Sequence, residues 1–242
     1  MKRYLVPTGF LAPALLSTTI RFAFVVFIVL TAVSGVPQAL AQELCPPSPA
    51  YTPDFSSNQS CLTPNANAAV VGGEESPFVL QLTPDLGNQT GSAWYNTRQV
   101  VKNGFTTNFQ FQLTPAGGAD GIAFVIQNAG TNAIGFTSGN GGALGYGDAD
   151  GDYPLGDPST GAGIPNSLAI EFDVFKNDWD PAPVLVGGNV SHVAVQSCGM
   201  GPNTSHHNQA CGGDGPLNST LGAPVLTSST LADGNVHTVT LK

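Results

Sequence analysis

The chain has 242 residues, 41% hydrophobic but only 10% charged, and its 30 Gly and 19 Pro together make up about a fifth of it. So many breakers of regular structure with so little charge exclude a coiled coil, a helical bundle and a charge-driven disordered tail, while the length suits a single all-β unit. Sixteen acids against seven bases give a net charge of −9, which makes nucleic acid and anionic lipid poor partners.

In chain order, the first feature is N-terminal. Lys2, Arg3 and Arg21 precede an apolar run from Phe22 to Val33, which leads through Pro37 to Ala39-Leu40-Ala41. A basic flank, a short apolar stretch and a small-x-small end are the parts of a secretory signal peptide. Residues 1–41 are therefore expected to be removed after Ala41, an uncleaved membrane anchor being the alternative. The remainder carries four bases against sixteen acids, a net −12. It is expected to be secreted, extracellular or at the cell surface, with no membrane insertion once the signal is gone. Residues 42–54 read as a Pro- and Ser-rich leader to one domain over 55–242. All four cysteines (Cys45, Cys61, Cys198, Cys211) lie after residue 41, and an even number in an exported chain favours disulfides over metal sites or reactive thiols. Three pairings are open. The local ones, Cys45–Cys61 and Cys198–Cys211, would each close a loop of about 15 residues and contribute on the order of 3 kcal/mol.

Val70-Val71 and Phe78 to Leu82 read as outer strands. From Phe105 to Leu113, residues 105, 109, 111 and 113 are apolar while Thr106, Asn108, Gln110 and Gln112 are polar, a period of two with one wet face. Ile122 to Ile126 is apolar on both faces, which predicts a central strand. Leu168 to Asp173, His192 to Gln196 and Val236 to Leu241 complete the set, separated by Gly, Pro and Asn turns. No amphipathic helix, repeat or domain-sized linker interrupts them. An antiparallel β-sandwich follows.

The segment richest in chemistry runs from Ala169 to Pro181. Alternation places Ile170, Phe172 and Val174 on the core face of a strand and Glu171, Asp173 and Asn177 on the other, with Phe175 between them; the two carboxylates are roughly 7 Å apart, and Asp180 returns just beyond the strand end. Carboxylates this close repel unless cations or protons neutralise them. Oxygen ligands from Asp173, Asn177, Asp180 and a backbone carbonyl suit Ca²⁺. Adding the imidazole of His192 to Glu171, Asp173 and Asp180 suits a transition ion such as Mn²⁺. The alternative is a solvated acidic edge.

The run E-F-D-x-F-x-N-x-W-D-P from Glu171, followed by a strand opening with His192, resembles the metal-binding signature of the legume-type (L-type) lectins. Gly104-Phe-Thr-Thr-Asn-Phe109, Ala119-Asp120-Gly121 and Gly141-Gly-Ala-Leu-Gly145 match other family motifs, in family order. One such motif is weak and four in order are specific; together they cover the chain from about Phe55 to its end. The stretch His192 to Cys198 especially resembles bacterial secreted members. The resemblance implies a concanavalin A-like antiparallel β-sandwich, or jelly roll, with Ca²⁺ and Mn²⁺ side by side. Glu171 and His192 would hold Mn²⁺, Phe175 (through its carbonyl) and Asn177 would hold Ca²⁺, and Asp173 and Asp180 would bridge the two. Asp120 would accept hydrogen bonds from sugar hydroxyls, the Asn177 side chain and the Gly142 amide would donate to the sugar, and the Ala119–Asp120 peptide would be cis. Phe175 or Tyr146 would stack on the sugar. The implied function is metal-dependent, non-catalytic binding of glycans or glycoconjugates, with a homo-oligomer compatible with the family.

Two features depart from the family. Twelve residues lead from Asp180 to His192, more than the usual short loop, so the His192 ligand, and with it Mn²⁺, depends on how that loop folds. The chain also ends at Val236-His-Thr-Val-Thr-Leu-Lys242 where relatives continue for several strands, so the domain is expected to be C-terminally incomplete. Two other functions compete. A retaining glycoside hydrolase needs two carboxyls about 5–5.5 Å apart; Glu171-x-Asp173 begins an E-x-D-x-x-E pattern, but Lys176 stands where the second Glu belongs. A surface or adhesion module without sugar binding is the other. Asp148-Ala-Asp150-Gly-Asp152 looks like half a calcium loop, but Ser159 occupies the twelfth position, so a solvated turn is expected. His206-His207 lies in a polar loop and is assigned no ligand role. Five N-x-S/T sites (Asn58, Asn88, Asn189, Asn203, Asn218) are expected by chance in so Asn-, Ser- and Thr-rich a chain.

Overall fold

The computed structural model describes residues 2–6, 45–51, 54–73, 76–137, 141–148, 163–177, 179–180, 190–207, 211, 225–227 and 229–242. Most of the expected signal peptide, Asp150, Asp152, Ser159, Asn189 and Asn218 lie outside them. The described residues are all-β: β1 (Lys2–Val6), β2 (Leu62–Ala66), β3 (Ala69–Gly73), β4 (Ser76–Thr83), β5 (Gly91–Tyr95), β6 (Thr107–Thr114), β7 (Gly121–Gln127), β8 (Ser167–Asp173), β9 (His192–Gln196), β10 (Val225–Leu226) and β11 (Val236–Leu241), with short 3-10 turns at Gln59–Cys61 and Gly141–Ala143. Every pairing is antiparallel. One sheet has the order β11-β6-β1-β4-β3, a second β10-β9-β8-β7, and β2 pairs with β5. This is the expected antiparallel sandwich.

The core lies between the two larger sheets, where Phe111 and Leu113 of β6 meet Ile122 of β7, Phe172 of β8 and the following Val174. Phe111 is 1% exposed and Leu113 0%, and burying each such side chain contributes about 1.5–3 kcal/mol. The polar residues of β6 face the other way. Gln110 donates to Thr238 Oγ1 on β11 at 3.0 Å, and Thr240 donates to Asn108 at 2.7 Å. The alternation read from the sequence is thus the alternation between core and wet face.

Two findings differ from expectation. β7 is apolar on both faces yet ends its sheet among the described strands. Both of its faces are covered all the same. Ile122 enters the inter-sheet core and Phe124 stacks on Phe109 at 5.5 Å, while Ala123 and Val125 pack under an outer cluster of Leu144, Tyr146, Ile164 and Ala169. Covering, rather than a central place, explains its composition. Second, β1 comes from the basic flank of the expected signal peptide and occupies the middle of the five-stranded sheet, between β4 and β6. A segment removed after Ala41 could not keep that place, and β4 and β6 would then face each other across an open slot. The four cysteines form the two local disulfides, Cys45–Cys61 and Cys198–Cys211.

Candidate metal and carbohydrate site

Strand register assembles the site. In the β7–β8 ladder Gly121 lies opposite Asp173, and in the β8–β9 ladder Asp173 lies opposite His192. Asp120, Asp173 and His192 therefore meet at one end of the sheet whatever the length of the loop after Asp180. The outer cluster over β7 and β8 also closes over the acidic face, so Glu171 is 0% and Asp173 3% exposed. A solvated acidic edge is excluded.

Glu171 is surrounded by donors. The Tyr146 hydroxyl donates to its Oε2 at 2.5 Å, Gln196 Nε2 lies 3.4 Å from Oε1, and His207 Nε2 lies 2.8 Å from the same oxygen. His192 Nε2 stands 3.7 Å away. Burial alone would raise the Glu171 pKa, but the two imidazoles and the Tyr146 hydroxyl outweigh it and hold it at about 2. His192 shows the reciprocal effect: burial opposes its charge, yet Glu171 and Asp173 raise it to about 9. Asp173 Oδ1 accepts the Phe175 amide at 2.8 Å, and burial followed by the nearby Asp180 charge raises its pKa well above the usual carboxylate value. Asp180 Oδ2 accepts the Asn177 amide at 2.5 Å.

These side chains form two overlapping groups, Glu171 with His192 and His207, and Asp173 with Asp180 and His192, each with its ligand atoms within 4.8 Å of one another. The Oδ1 atoms of Asn177 and Asp180 are buried without a hydrogen-bond partner among the described residues. Orphaned buried acceptors are costly, and a hard cation is what satisfies several converging oxygens. The grouped carboxylates and imidazoles are therefore candidate cation ligands, with oxygen donors on the Asp173–Asp180 side and imidazole donors on the Glu171 side.

Asp120 sits next to this cluster. Its carbonyl accepts the Val174 amide at 2.8 Å, and the Ala119–Asp120 peptide is cis, as the resemblance implies. The Asp120 carboxylate lies against the α-carbon of Gly141, where a Cβ would fall 1.4 Å from Oδ2. Ala119, Asp120 and Gly141 line a cavity of about 300 Å³ together with Arg3, Thr83 and the loop 85–89. Burial raises the Asp120 pKa, with the Arg3 charge opposing. Gly142 is buried in the adjacent 3-10 turn, and Asn177 is tied through its backbone amide to Asp180. Gly141→Ala is expected to push the Asp120 carboxylate out of place and reduce glycan retention at least tenfold while the far-ultraviolet circular dichroism stays unchanged; unaltered retention would show that the Asp120–Gly141 contact has no part in binding.

Several expectations require correction. Tyr146 is 1% exposed with its hydroxyl on Glu171, so it braces a carboxylate and cannot stack on a sugar. Phe175, 47% exposed, remains accessible. Asp148 is buried, with Thr204 and His206 beside it, and is not part of a solvated turn. Asn203 is 0% exposed and donates to Ser167 Oγ and the Gln196 carbonyl, which excludes it as a glycan acceptor in the folded chain. The largest correction concerns His206-His207. His206 stacks on Trp179 at 4.1 Å, and His207 enters the cluster. No spacing from His192 announces this; the only cue is a His pair between two cysteines.

The legume lectin domain model matches residues 52–210. The chain belongs to the legume lectin domain family. The matched span of this legume lectin domain contains Asp120, the Glu171 segment, His192 and His207. Lectin 8 from Medicago truncatula is 28% identical over 159 residues, which are 59% of this chain and 52% of that protein. The chain thus spans about half the length of this curated relative. No solved structure matches it.

Proposed function

We propose that this legume lectin domain binds carbohydrate without catalysis, at a site centred on Asp120 and organised by Ca²⁺ and a transition ion such as Mn²⁺. The observation that carries the reading is the coupling of cavity to cluster. The Asp120 carboxylate lines the cavity, while its backbone is bonded to Val174, the residue after the candidate ligand Asp173. Cations drawing Asp173, Asn177 and Asp180 together would fix that end of β8 and with it Asp120. Gly142 and Asn177 would supply the donors. A glycan array in Ca²⁺ and Mn²⁺, repeated in chelator, tests the reading: sugar-selective retention is expected only with the ions. Retention of no glycan in either condition would favour a surface module instead.

The geometry also weighs against hydrolysis. A catalytic acid or nucleophile must reach the glycosidic bond, whereas Glu171 is enclosed by Tyr146, Gln196 and His207. The two disulfides suit an oxidising compartment, in keeping with secretion of the kind used by bacterial members. On this reading the secreted chain begins at Gln42 and lacks β1, so Arg3 no longer lines the cavity and Ala119, Asp120, Gly141, Thr83 and the loop 85–89 form the site. Intact mass and N-terminal sequencing of the exported protein check this, and a chain still carrying Lys2–Val6 would show that the segment is retained as a strand.

A further inference from the structure

We propose that the transition-ion position is a two-imidazole site, in which His207 joins His192 and Glu171 as a direct ligand and shifts the site's preference from Mn²⁺ toward Zn²⁺. The inference rests on the metal-binding reading above and adds a ligand to it.

Three atoms converge. Glu171 Oε1 lies 2.8 Å from His207 Nε2 and 3.7 Å from His192 Nε2, and the two Nε2 atoms are 3.2 Å apart. Two nitrogens at about 2.0–2.1 Å from one tetrahedral ion would be separated by about 3.3 Å. The pair is therefore spaced as two ligands of a single metal. Both imidazoles are buried, at 3% and 1% side-chain exposure. Beside them Asp180 Oδ1 is buried without a hydrogen-bond partner among the described residues and stands 3.8 Å from His207 Nε2, within reach of the same ion.

The loop that carries His207 is built to hold it there. Asn203 ties the loop to β8 and β9 through Ser167 and Gln196, and the Asn203 amide donates to the Ile164 carbonyl at 3.2 Å. His206 stacks on Trp179 on one side, and the Cys198–Cys211 disulfide closes the loop on the other. The second nitrogens are also directed. His192 Nδ1 faces the Val190 carbonyl at 3.2 Å, which as a pure acceptor takes the Nδ1 proton and leaves Nε2 open to a metal. His207 Nδ1 faces the Gln196 amide at 3.3 Å. Ligation through His207 Nε2 requires Gln196 to present its carbonyl there. A half-turn of the amide does this without changing its shape and gives up its 3.4 Å contact with Glu171, whose charge the ion then meets. Imidazole favours Zn²⁺ and its neighbours, whereas Mn²⁺, the weakest binder of the first-row series, suits oxygen.

The test is titration of the full exported chain with Zn²⁺, Mn²⁺ and Ca²⁺ by calorimetry, for wild type and His207→Gln. Wild type should prefer Zn²⁺ to Mn²⁺ at the transition-ion position. The variant should bind Zn²⁺ at least tenfold more weakly and Ca²⁺ within about twofold of wild type, since His207 belongs only to the Glu171–His192 group. Because His207 is buried, a second measurement uses unmodified protein: pulsed electron paramagnetic resonance of the Cu²⁺-loaded chain counts coordinated imidazoles. Two support the proposal. A single imidazole, or unchanged Zn²⁺ affinity in a folded variant, overturns it and leaves the Ca²⁺ and transition-ion reading standing. A wild-type chain that binds none of the three ions overturns both.

Discussion

Asp120→Asn is expected to weaken glycan binding at least tenfold with little change in fold stability. The Asp120 carboxylate lines the cavity and has Gly141 as its close neighbour. Ionised, it only accepts hydrogen bonds, so it can accept from two hydroxyls of one sugar. An amide keeps the shape and turns one acceptor into a donor. Hydrogen bonds to a charged group are worth about 1.5–3 kcal/mol, and about 1.4 kcal/mol is a factor of ten in affinity. The fold should tolerate the change because the bond tying Asp120 to Val174 is made by the backbone carbonyl. Burial already disfavours this carboxylate's charge, so losing that charge removes a cost. Isothermal titration with the best array hit decides the matter. Equal affinity for wild type and variant would place the sugar elsewhere on the domain.

Chelation is expected to abolish glycan retention and to lower the melting temperature, by a margin that widens from pH 5.5 to pH 8. The sign follows from the groups in the cluster. The folded-state pKa of Asp173 is raised by burial and by the Asp180 charge. Above about pH 3.8 the unfolded chain therefore gives up that proton before the folded one does, and the chelated fold loses stability as pH rises. His192, raised to about 9, contributes stability that is complete below about pH 6.5 and is lost as pH climbs through 9. Glu171, held at about 2, acts in the opposite direction, but its contribution is lost only as pH falls below about 4.5, outside the window. Protons thus partly replace cations at pH 5.5 and cannot at pH 8. The ion-loaded form runs the other way, because its carboxylate and imidazole ligands must be free of protons. Each titrating proton can contribute up to about 1.4 kcal/mol per pH unit, and about 1 kcal/mol moves the midpoint of a domain this size by roughly 2–4 °C. Thermal scans with and without chelator at the two pH values read the gap directly. A pH-independent gap would mean that this cluster does not hold the ions, and glycan retention surviving in a folded, chelated sample would separate sugar binding from metal.

The strands were legible because a half-buried strand must alternate. β6 follows from its period-two pattern, and β9 and β11 from the Gly, Pro and Asn turns that separate them. Covering was harder to read. A strand that is apolar on both faces records that both faces are shielded, and β7 achieves this at the end of its sheet through the cluster of Leu144, Tyr146 and Ile164. The role of the N-terminus was also open. Basic and apolar composition marks an export signal, while the same Lys2–Val6 pairs between β4 and β6, and composition does not weigh a cleavage step against a strand slot.

By itself the sequence determined the all-β class, and it offered the two local disulfides and the residues Glu171, Asp173, Asn177, Asp180 and Asp120 as candidates in this legume lectin domain. The strands and the acidic segment depend on local spacing, which the chain carries in its own order, while Asp120 entered through the family resemblance. Tertiary structure alone decided what depends on register and on loops folding back. Pairing of β8 with β9 sets His192 opposite Asp173 across a loop whose length suggested otherwise. Outer loops turn the acidic face of β8 from a wet edge into a buried cluster and redirect Tyr146 from the sugar to Glu171. They also carry His207, at 36 positions from Glu171 in the chain, to 2.8 Å from its carboxylate. Contacts made by a loop anchored through Asn203 and a disulfide have no period, so no pattern along the chain could announce them.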